Sequence, residues 1–201
     1  MKLYYSSTSP YARKVRIVIL ENNLTDQVEH KLVNPWDDPE DLVAINPLGK
    51  IPTLELSTGD ILFDSPVICE YIDSFNKQVP LFPSSGMDRW TALRQQALGD
   101  GVMDASVNLF LEQKRSPDMQ NQGWMDRQKG VITRSLDLMA GGIAEMGEGL
   151  SIGGISYGVA LSYLDLRHGV LNWREGREAL ANWHQETISR PSFQKTAPDE
   201  G

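Results

Sequence analysis

A serine followed by a proline, Ser9-Pro10, stands where a short β-like opening segment passes into a helical pattern. Serine is a favoured helix N-cap and proline a favoured first helical residue, because proline lacks only an N–H group that would have no partner there. A hydroxyl at such a corner lies beside unpaired backbone N–H groups and the positive end of the helix dipole, which together stabilise an anion. For a bound thiol, the same field favours the reactive thiolate. The alternative is that Ser9 only caps the helix.

A second candidate corner is the segment Lys50-Ile51-Pro52, which directly precedes a predicted strand. A proline in this place can adopt the cis form, which bends the chain and turns the backbone of Ile51 outward. Ile51 would then offer its N–H and C=O groups to an extended, peptide-like ligand, and Lys50 suits a carboxylate. The alternative is an ordinary trans proline with a solvated lysine. Because only about one X–Pro bond in twenty is cis, this segment taken alone favours the trans form.

The third corner is Asp64-Ser65-Pro66, where Ser65 is the predicted N-cap of another helix. The hydroxyl and the first N–H groups of that helix can hold a carboxylate, and the adjacent Asp64 can hold an ammonium group. Two such groups suit the head of an amino acid, although a capping serine after an acid is the plain alternative. Together the three corners fit a ligand with a zwitterionic head, a peptide middle and a reactive tip, as in glutathione.

The elements that must position these corners alternate between strand and helix over the first 75 residues, which predicts a small α/β layer with a mixed sheet. The opening strand is followed by a helix at 10–22, a strand at 28–33, a short helix at 39–45, a hairpin of 53–56 and 61–63, and a helix from Ser65 to Phe75. The apolar stripe of the first helix consists of Ala12, Val15, Val18 and Ile19.

The second half of the chain contains no convincing strand and is predicted to be all-helical. Helices are expected at 87–115, 120–145, 151–171 and 175–189, with a polar tail after them; Gly141-Gly142 favours an earlier end of the second helix. The predicted domains are therefore an N-terminal α/β domain at 1–76, a linker at 77–86 and a helical, substrate-binding domain at 87–201.

Composition excludes several classes of function. The chain has 201 residues and a net charge of −8 without a lysine or arginine cluster, so nucleic acid and anionic membrane surfaces are not expected partners. No membrane span or signal peptide is evident. The one cysteine, Cys69, is expected to be a buried structural residue and excludes an internal disulfide. We expect no metal site, because the histidines His30, His168 and His184 are scattered. The default compartment is the cytoplasm.

With these motifs in order, the chain resembles the serine-type cytosolic glutathione transferases over nearly its whole length. The similar segments are the active-site segment 8–15, the cis-proline loop 46–54, the γ-glutamyl-binding helix start 64–72, and the late-helix segments 163–167 and 190–193. The resemblance implies a thioredoxin-like N-terminal domain, a helical C-terminal domain and a homodimer. It also implies that Ser9 donates a hydrogen bond to the glutathione thiolate, with Ser7 as the fallback for this role.

The same resemblance implies roles for the other two corners. Ile51, followed by a cis Pro52, would pair its backbone with the cysteinyl unit of glutathione, and Lys50 would meet the glycyl carboxylate. Asp64 and Ser65 would bind the γ-glutamyl end.

Further roles concern the dimer and the second substrate. Asp100 lies in a segment similar to the one that reaches across the family's dimer to the neighbouring γ-glutamyl amine; a solvated surface acid is the alternative. The second substrate is expected near Tyr11 and Trp36 and along the helix that contains Met103 and Val107. For each of these residues, a place in the core or rim packing is the alternative.

The function implied is conjugation of glutathione to electrophilic, largely apolar small molecules. Alternatives are a glutathione-dependent peroxidase, isomerase or dehalogenase, or a glutathione-binding interaction module without turnover. One departure from the family concerns its capping box: Ser151 is present, but Gly154 stands where an acid is usual. Because that residue and its neighbours Gly153 and Gly158 each weaken a helix by up to roughly 1 kcal/mol, stability of the second domain is placed in doubt.

Overall fold

The computed structural model describes residues 1–76, 79–147 and 149–198 of the chain. Two compact units are present: Met1–Arg89 together with Arg190–Gly201, called here the N-terminal unit, and Trp90–Ser189, called the helical unit. This grouping differs from the predicted domain 87–201, because the residues after Ser189 belong with the N-terminal unit. Residues 77 and 78 of the predicted linker and residues 199–201 of the predicted second domain lie outside the described residues, whereas residues 79–85 form neither helix nor strand.

Four short strands form one mixed sheet in the order β2-β1-β3-β4. They are β1 (Lys2–Tyr5), β2 (Glu29–Leu32), β3 (Thr53–Glu55) and β4 (Ile61–Leu62). Leu3 of β1 lies opposite His30 in the parallel pair with β2 and opposite Leu54 in the antiparallel pair with β3, and Leu54 in turn lies opposite Leu62. The predicted α/β layer, its mixed sheet and its hairpin are thus confirmed. A parallel pair requires a crossover connection, and the first helix provides it.

Three helices of the N-terminal unit accompany the sheet: α1 (Pro10–Glu21), α2 (Glu40–Val43) and α3 (Ser65–Asp73). The predicted apolar stripe of α1 is fully buried, and so are Ile68, Cys69 and Ile72 of α3. Burial of one apolar face on each helix forms the core beside the sheet. The order of elements and of strands is the thioredoxin-like arrangement that the resemblance implies.

One predicted cap is wrong. Ser65 is not the N-cap of α3 but its first helical residue; Asp64 is the N-cap, with extended backbone angles and no side-chain capping bond. The sequence offered two adjacent residues that are both favoured as N-caps, and only the backbone conformation decides between them.

The described residues of the helical unit contain no strand, as predicted. Its helices are α4 (Gly86–Gln113), which begins in the N-terminal unit, α5 (Gln122–Gly142), α6 (Ile152–His168) and α7 (Glu178–Ile188). The early end of α5 at Gly142 is the one that the glycine pair favoured, and a 3₁₀ turn, Ile143–Glu145, follows it. In the described parts of the chain, no helix is both long enough and apolar enough to cross a membrane.

Helix α6 forms despite its incomplete capping box. Ser151 accepts a hydrogen bond from the N–H of Gly154, with 3.2 Å between Oγ and N. Two glycines also let α6 approach α4 closely: a Cβ at Gly153 would lie 2.5 Å from the Cβ of Gln95, and a Cβ at Gly99 would lie 2.8 Å from the backbone of Ser156. Because larger residues would not fit, Gly153 contributes close packing that opposes its low helix propensity.

The residues after α7 are not the simple polar tail that was predicted. A short helix, α8 (Pro191–Lys195), packs in the N-terminal unit. Arg190 Nη2 donates to the Glu21 carboxylate over 2.9 Å, and Arg13 Nη2 donates to the carbonyl of Phe193 over 3.2 Å. Burial, and next the charge of Arg16, lower the pKa of Arg13 to about 10, so Arg13 stays protonated at neutral pH.

Candidate active site

Ser9 lies at the end of the turn that connects β1 to α1, and it caps α1, as predicted. Its Oγ accepts a hydrogen bond from the N–H of Ala12 over 3.2 Å, and Pro10 is the first helical residue. Because the oxygen is the acceptor in this bond, the hydroxyl hydrogen is left to donate to another group. Ser9 is half-buried, and so is the fallback candidate Ser7, which lies in the turn before it and caps nothing. Ser9 therefore presents a donor at the positive end of a helix, which suits an anion.

The loop before β3 has the geometry that strand addition requires. The peptide bond between Ile51 and Pro52 is cis, as the resemblance implies. Pro52 is buried, Ile51 is half-buried and Lys50 is exposed. Within the described parts of the chain, neither the N–H nor the C=O of Ile51 has a hydrogen-bond partner. An extended ligand could therefore pair with both groups.

The third corner follows β4. Asp64 is exposed and its carboxylate makes no capping bond, whereas Ser65 is buried in the first turn of α3. The peptide bond between Phe63 and Asp64 is also cis. The exposed carboxylate of Asp64 carries a full negative charge, and the helix N-terminus beside it carries a partial positive charge. These two charges suit the ammonium and the carboxylate of an amino-acid head group.

The sheet brings the three corners to one edge. Tyr4, near the end of β1, lies opposite Thr53 at the start of β3, and Leu62 at the end of β4 lies opposite Leu54. Because β1 and β4 are both antiparallel to β3, the ends of β1 and β4 meet the start of β3. The segments that carry Ser9, Pro52 and Asp64 therefore leave the sheet at the same edge.

The remaining candidates of the N-terminal unit lie close to the surface. Tyr11 is half-buried as the second residue of α1, and its neighbour Ala12 faces the core. Trp36 is 70 % exposed and lies in a 3₁₀ turn, Pro35–Asp37, after β2. Both side chains are accessible enough to contact a ligand.

The candidates of the helical unit lie on α4 and differ in accessibility. Met103 is 0 % exposed and belongs to the core, which is the alternative that the sequence left open for it. Val107 and Asp100 are half-buried. Of the two apolar candidates, only Val107 is accessible in this structure.

The sequence did not identify two residues that hold the cis-proline loop, Asn46 and Thr53. Both are fully buried. Asn46 Nδ2 donates to the carbonyl of Lys50 over 3.0 Å and to Thr53 Oγ1 over 2.8 Å, and Thr53 Oγ1 donates to the same carbonyl over 2.8 Å. Asn46 Oδ1 accepts from the N–H of Leu48 over 3.1 Å. The dipeptide Asn46-Pro47 was the available signal, because an asparagine at a turn bonds the backbone two residues on.

A metal centre finds no support in the side chains. Among the described residues, no group of three or more histidine, cysteine, aspartate or glutamate side chains could hold a metal ion.

Comparisons with known proteins agree with this geometry. The family model described as glutathione S-transferase, N-terminal domain, matches residues 8–74. A curated relative, the uncharacterized GST-like protein YibF of Escherichia coli K12, is 33 % identical over 201 residues, which cover 98 % of each chain.

Two solved structures are similar over nearly the whole chain. A glutathione transferase family member from Pseudomonas fluorescens Pf-5 with bound glutathione is 39 % identical, with a TM-score of 0.95 and coverage of 98 % of both chains. A structure described as a family member from the same organism with bound S-(propanoic acid)-glutathione has a TM-score of 0.91 at 38 % identity, over 99 % of this chain and 100 % of that one. A serine-capped helix, a cis-proline loop and a full-length relative at this identity lead to one assignment: the chain belongs to the glutathione S-transferase family.

Proposed function

We propose that the protein binds glutathione at the sheet edge of its N-terminal unit, lowers the pKa of the glutathione thiol and conjugates the thiolate to electrophilic, largely apolar small molecules. The observation that carries this proposal is the convergence of Ser9, the cis-proline loop and Asp64 at one edge of the sheet. The bound glutathione in the similar Pseudomonas structure supports it.

Ser9 would stabilise the thiolate. Its oxygen already accepts a hydrogen bond from the N–H of Ala12, so the hydroxyl hydrogen is available to donate to a ligand. A hydrogen bond to a charged acceptor contributes about 1.5–3 kcal/mol. Because the thiolate gains this energy and the neutral thiol gains much less, the bond lowers the pKa of the bound thiol.

The rest of glutathione would lie along the other two corners. The backbone of Ile51 would pair with the cysteinyl unit, since both its groups lack protein partners among the described residues. Lys50, which is exposed, would bind the glycyl carboxylate. The cis peptide bond before Pro52 would maintain the bend of the loop that presents Ile51 to the ligand. The exposed carboxylate of Asp64 and the helix start at Ser65 would hold the γ-glutamyl head.

A homodimer is part of the proposal. Several large apolar side chains of the N-terminal unit are exposed in the single chain, among them Val67 and Phe75, on α3 and just after it, and Met87 at the start of α4. Exposed apolar groups of this kind favour an interface between proteins. Asp100 would contact the γ-glutamyl amine bound by the partner. Sedimentation velocity tests the dimer, and a monomer at micromolar concentration would contradict it.

Our proposed contacts of the second substrate are the accessible candidates: Tyr11 and Trp36 of the N-terminal unit and Val107 of the helical unit. Met103 is buried in the core of the helical unit. We place the activity in the cytoplasm, because a single buried cysteine suits a reducing compartment.

Two assays test the proposed function. Isothermal titration with glutathione measures binding, and conjugation of 1-chloro-2,4-dinitrobenzene measures turnover. We expect binding together with turnover that Ser9→Ala largely abolishes. Binding without turnover of this or other electrophiles would contradict the transferase and support a glutathione-binding module. Turnover of a peroxide alone would support the peroxidase alternative.

A further inference from the structure

An open groove with a volume of about 610 Å³ lies beside α2 in the N-terminal unit. We call it the α2 groove. The residues that line it belong to the turn before α2, to α2 itself and to the turn after it; they include Asp38, Glu40, Val43, Ala44, Pro47 and Leu48. Every lining residue lies between positions 38 and 49, so the groove is formed within one unit. Its volume and its mostly apolar lining with a few polar groups are typical of sites for small molecules.

The apolar part of the α2 groove is accessible to a ligand. Glu40, Val43 and Ala44 are spaced at i, i+3 and i+4, which places them on one face of α2, whereas Leu42 is fully buried in the core. Val43 is 40 % exposed and Leu48 is 59 % exposed. Because water covers these side chains in the free protein, an apolar molecule that covered them instead would gain free energy from the burial.

The carboxylate of Asp38 lies against the turn that carries Leu48. Asp38 follows the 3₁₀ turn Pro35–Asp37 and has left-handed backbone angles, with φ of 43°. Its Oδ1 atom is 3.5 Å from the position that a Cβ at Gly49 would take. Gly49, with φ of +59°, also has a left-handed conformation, which glycine adopts without strain. The two turns thus bring a carboxylate beside the apolar side chains of the groove.

The charge at the groove is negative. The turn before α2 and the start of α2 carry four acids: Asp37, Asp38, Glu40 and Asp41. Asp41 pairs with Lys31, whereas neither Asp38 nor Glu40 forms an ion pair within the described ranges. Exposed acids without a partner are common, and it is their place beside an apolar groove that indicates a ligand. A concave surface with a negative potential attracts a cation.

We propose that the α2 groove binds an apolar organic cation, namely a small molecule with an ammonium group on an aromatic or aliphatic body. The body lies on Val43 and Leu48, and the ammonium group lies beside Asp38 and Glu40. This site goes beyond the proposed transferase function and does not depend on it. Lys50 follows Gly49 in sequence but does not line the groove.

Two naphthalene probes separate the contribution of the charge from that of the apolar body. They are 2-(1-naphthyl)ethylammonium chloride and the neutral 2-(1-naphthyl)ethanol. Each is titrated into the protein at low ionic strength, and the backbone amide signals in proton–nitrogen correlation spectra report both the Kd and the place of binding. The ammonium should shift the amide signals of Ala44, Leu48 and Gly49. It should bind about fivefold to tenfold more tightly than the alcohol, because each of two exposed charge pairs contributes up to about fivefold.

Substitutions in the groove should change the two affinities differently. Asp38→Asn should weaken binding of the ammonium by about threefold to fivefold and leave the alcohol within about twofold, and Glu40→Gln should act in the same direction. Asparagine tolerates the left-handed conformation at position 38. Leu48→Ala should weaken both probes by a similar factor, because it removes apolar contact. Asp26→Asn, at an exposed position outside the groove, removes the same charge and should change neither affinity. Thermal unfolding verifies that each variant is folded.

Asp64 provides the control for the glutathione edge, because its exposed carboxylate could also bind an ammonium group. The ammonium is therefore titrated into Asp64→Asn and into the wild type with saturating glutathione. Binding at the α2 groove predicts a Kd within about twofold of the wild-type value in both experiments. Because no turnover is measured, this result stands whether or not the protein conjugates glutathione.

Several results would overturn the cation site. One is equal affinity of the wild type for the ammonium and the alcohol, or binding of neither. Another is loss of ammonium binding in Asp64→Asn or in the presence of glutathione, which would assign the cation to the glutathione edge. A third is amide shifts of Ala44 and Leu48 that depend on protein concentration without a probe, together with no binding of the ammonium, which would show that a second copy of the chain covers the groove.

Discussion

The cis-proline loop is held by one buried amide, and replacing Asn46 by alanine should therefore weaken both the fold and glutathione binding. Asn46 is 0 % exposed. Its side chain makes three hydrogen bonds, to the carbonyl of Lys50, to Thr53 Oγ1 and from the N–H of Leu48. Alanine removes all three and leaves the N–H of Leu48 without this acceptor.

The size of the effect follows from these bonds. At about 1 kcal/mol net for each, Asn46→Ala should lower the free energy of unfolding by about 3 kcal/mol. Thr53→Val should cost less, about 1–2 kcal/mol, because Asn46 still holds the Lys50 carbonyl. Without the hydrogen bonds to the Lys50 carbonyl, the loop is less ordered and must be ordered when glutathione binds. Ordering costs about 1–2 kcal/mol of free energy for each residue, so the Kd of glutathione should rise by about tenfold or more.

Urea unfolding followed by tryptophan fluorescence measures the first effect, and isothermal titration with glutathione measures the second. Asn121→Ala is the control. Asn121 caps α5 in the helical unit by accepting from the N–H of Trp124 over 2.9 Å, and its loss should cost about 1 kcal/mol of stability without changing glutathione affinity. An Asn46→Ala protein that is destabilised but binds glutathione as tightly as the wild type would refute the positioning role.

Two further predictions concern stability. Burial raises the pKa of Glu21, but hydrogen bonds from Arg190, the N-cap of α8, and from Ser192 outweigh burial and lower that pKa. Glu21→Gln should therefore cost roughly 1–3 kcal/mol near neutral pH. Because the pKa of Glu21 lies below its ordinary value of 4.5, the wild type should exceed the variant in free energy of unfolding by the full amount above pH 4.5, and by less as the pH falls further. Urea unfolding at several pH values measures this difference, and a difference independent of pH would contradict the role of the Glu21 carboxylate. In α4, a Cβ at Gly99 would lie 2.8 Å from the backbone of Ser156, so Gly99→Ala should lower the midpoint temperature of thermal unfolding. On α5, a Cβ at Gly141 would meet no atom within 4 Å, so Gly141→Ala should raise the midpoint slightly. Equal midpoints for the two variants would contradict the close approach of α4 and α6.

Much of the fold could be predicted because its signals are local. The first helix was bounded within one residue by Ser9-Pro10 and by its apolar spacing. The start of α3 was missed by one residue, because both Asp64 and Ser65 are favoured as N-caps. The short helix α8 was missed because its position depends on a pair, Glu21 and Arg190, that is 169 residues apart in sequence.

In the candidate site, too, the local motifs could be predicted from the sequence and the long-range contacts could not. Each corner was visible as a motif, but their meeting depends on the strand order and register, which no local pattern specifies. Asn46 indicated only a turn, and its bonds to Lys50 and Thr53 require the folded loop.

The role of Ser9 in activating glutathione is measured by the pKa of the thiol of bound glutathione. The ultraviolet absorbance of the thiolate is recorded against pH in the complexes of the wild type and of Ser9→Ala. We expect a thiol pKa below that of free glutathione in the wild type and a return toward the free value in the variant. At a given pH below the free value, the variant complex should contain about 10- to 100-fold less thiolate. Tight binding with the same thiol pKa in both proteins and in free glutathione would contradict activation by Ser9.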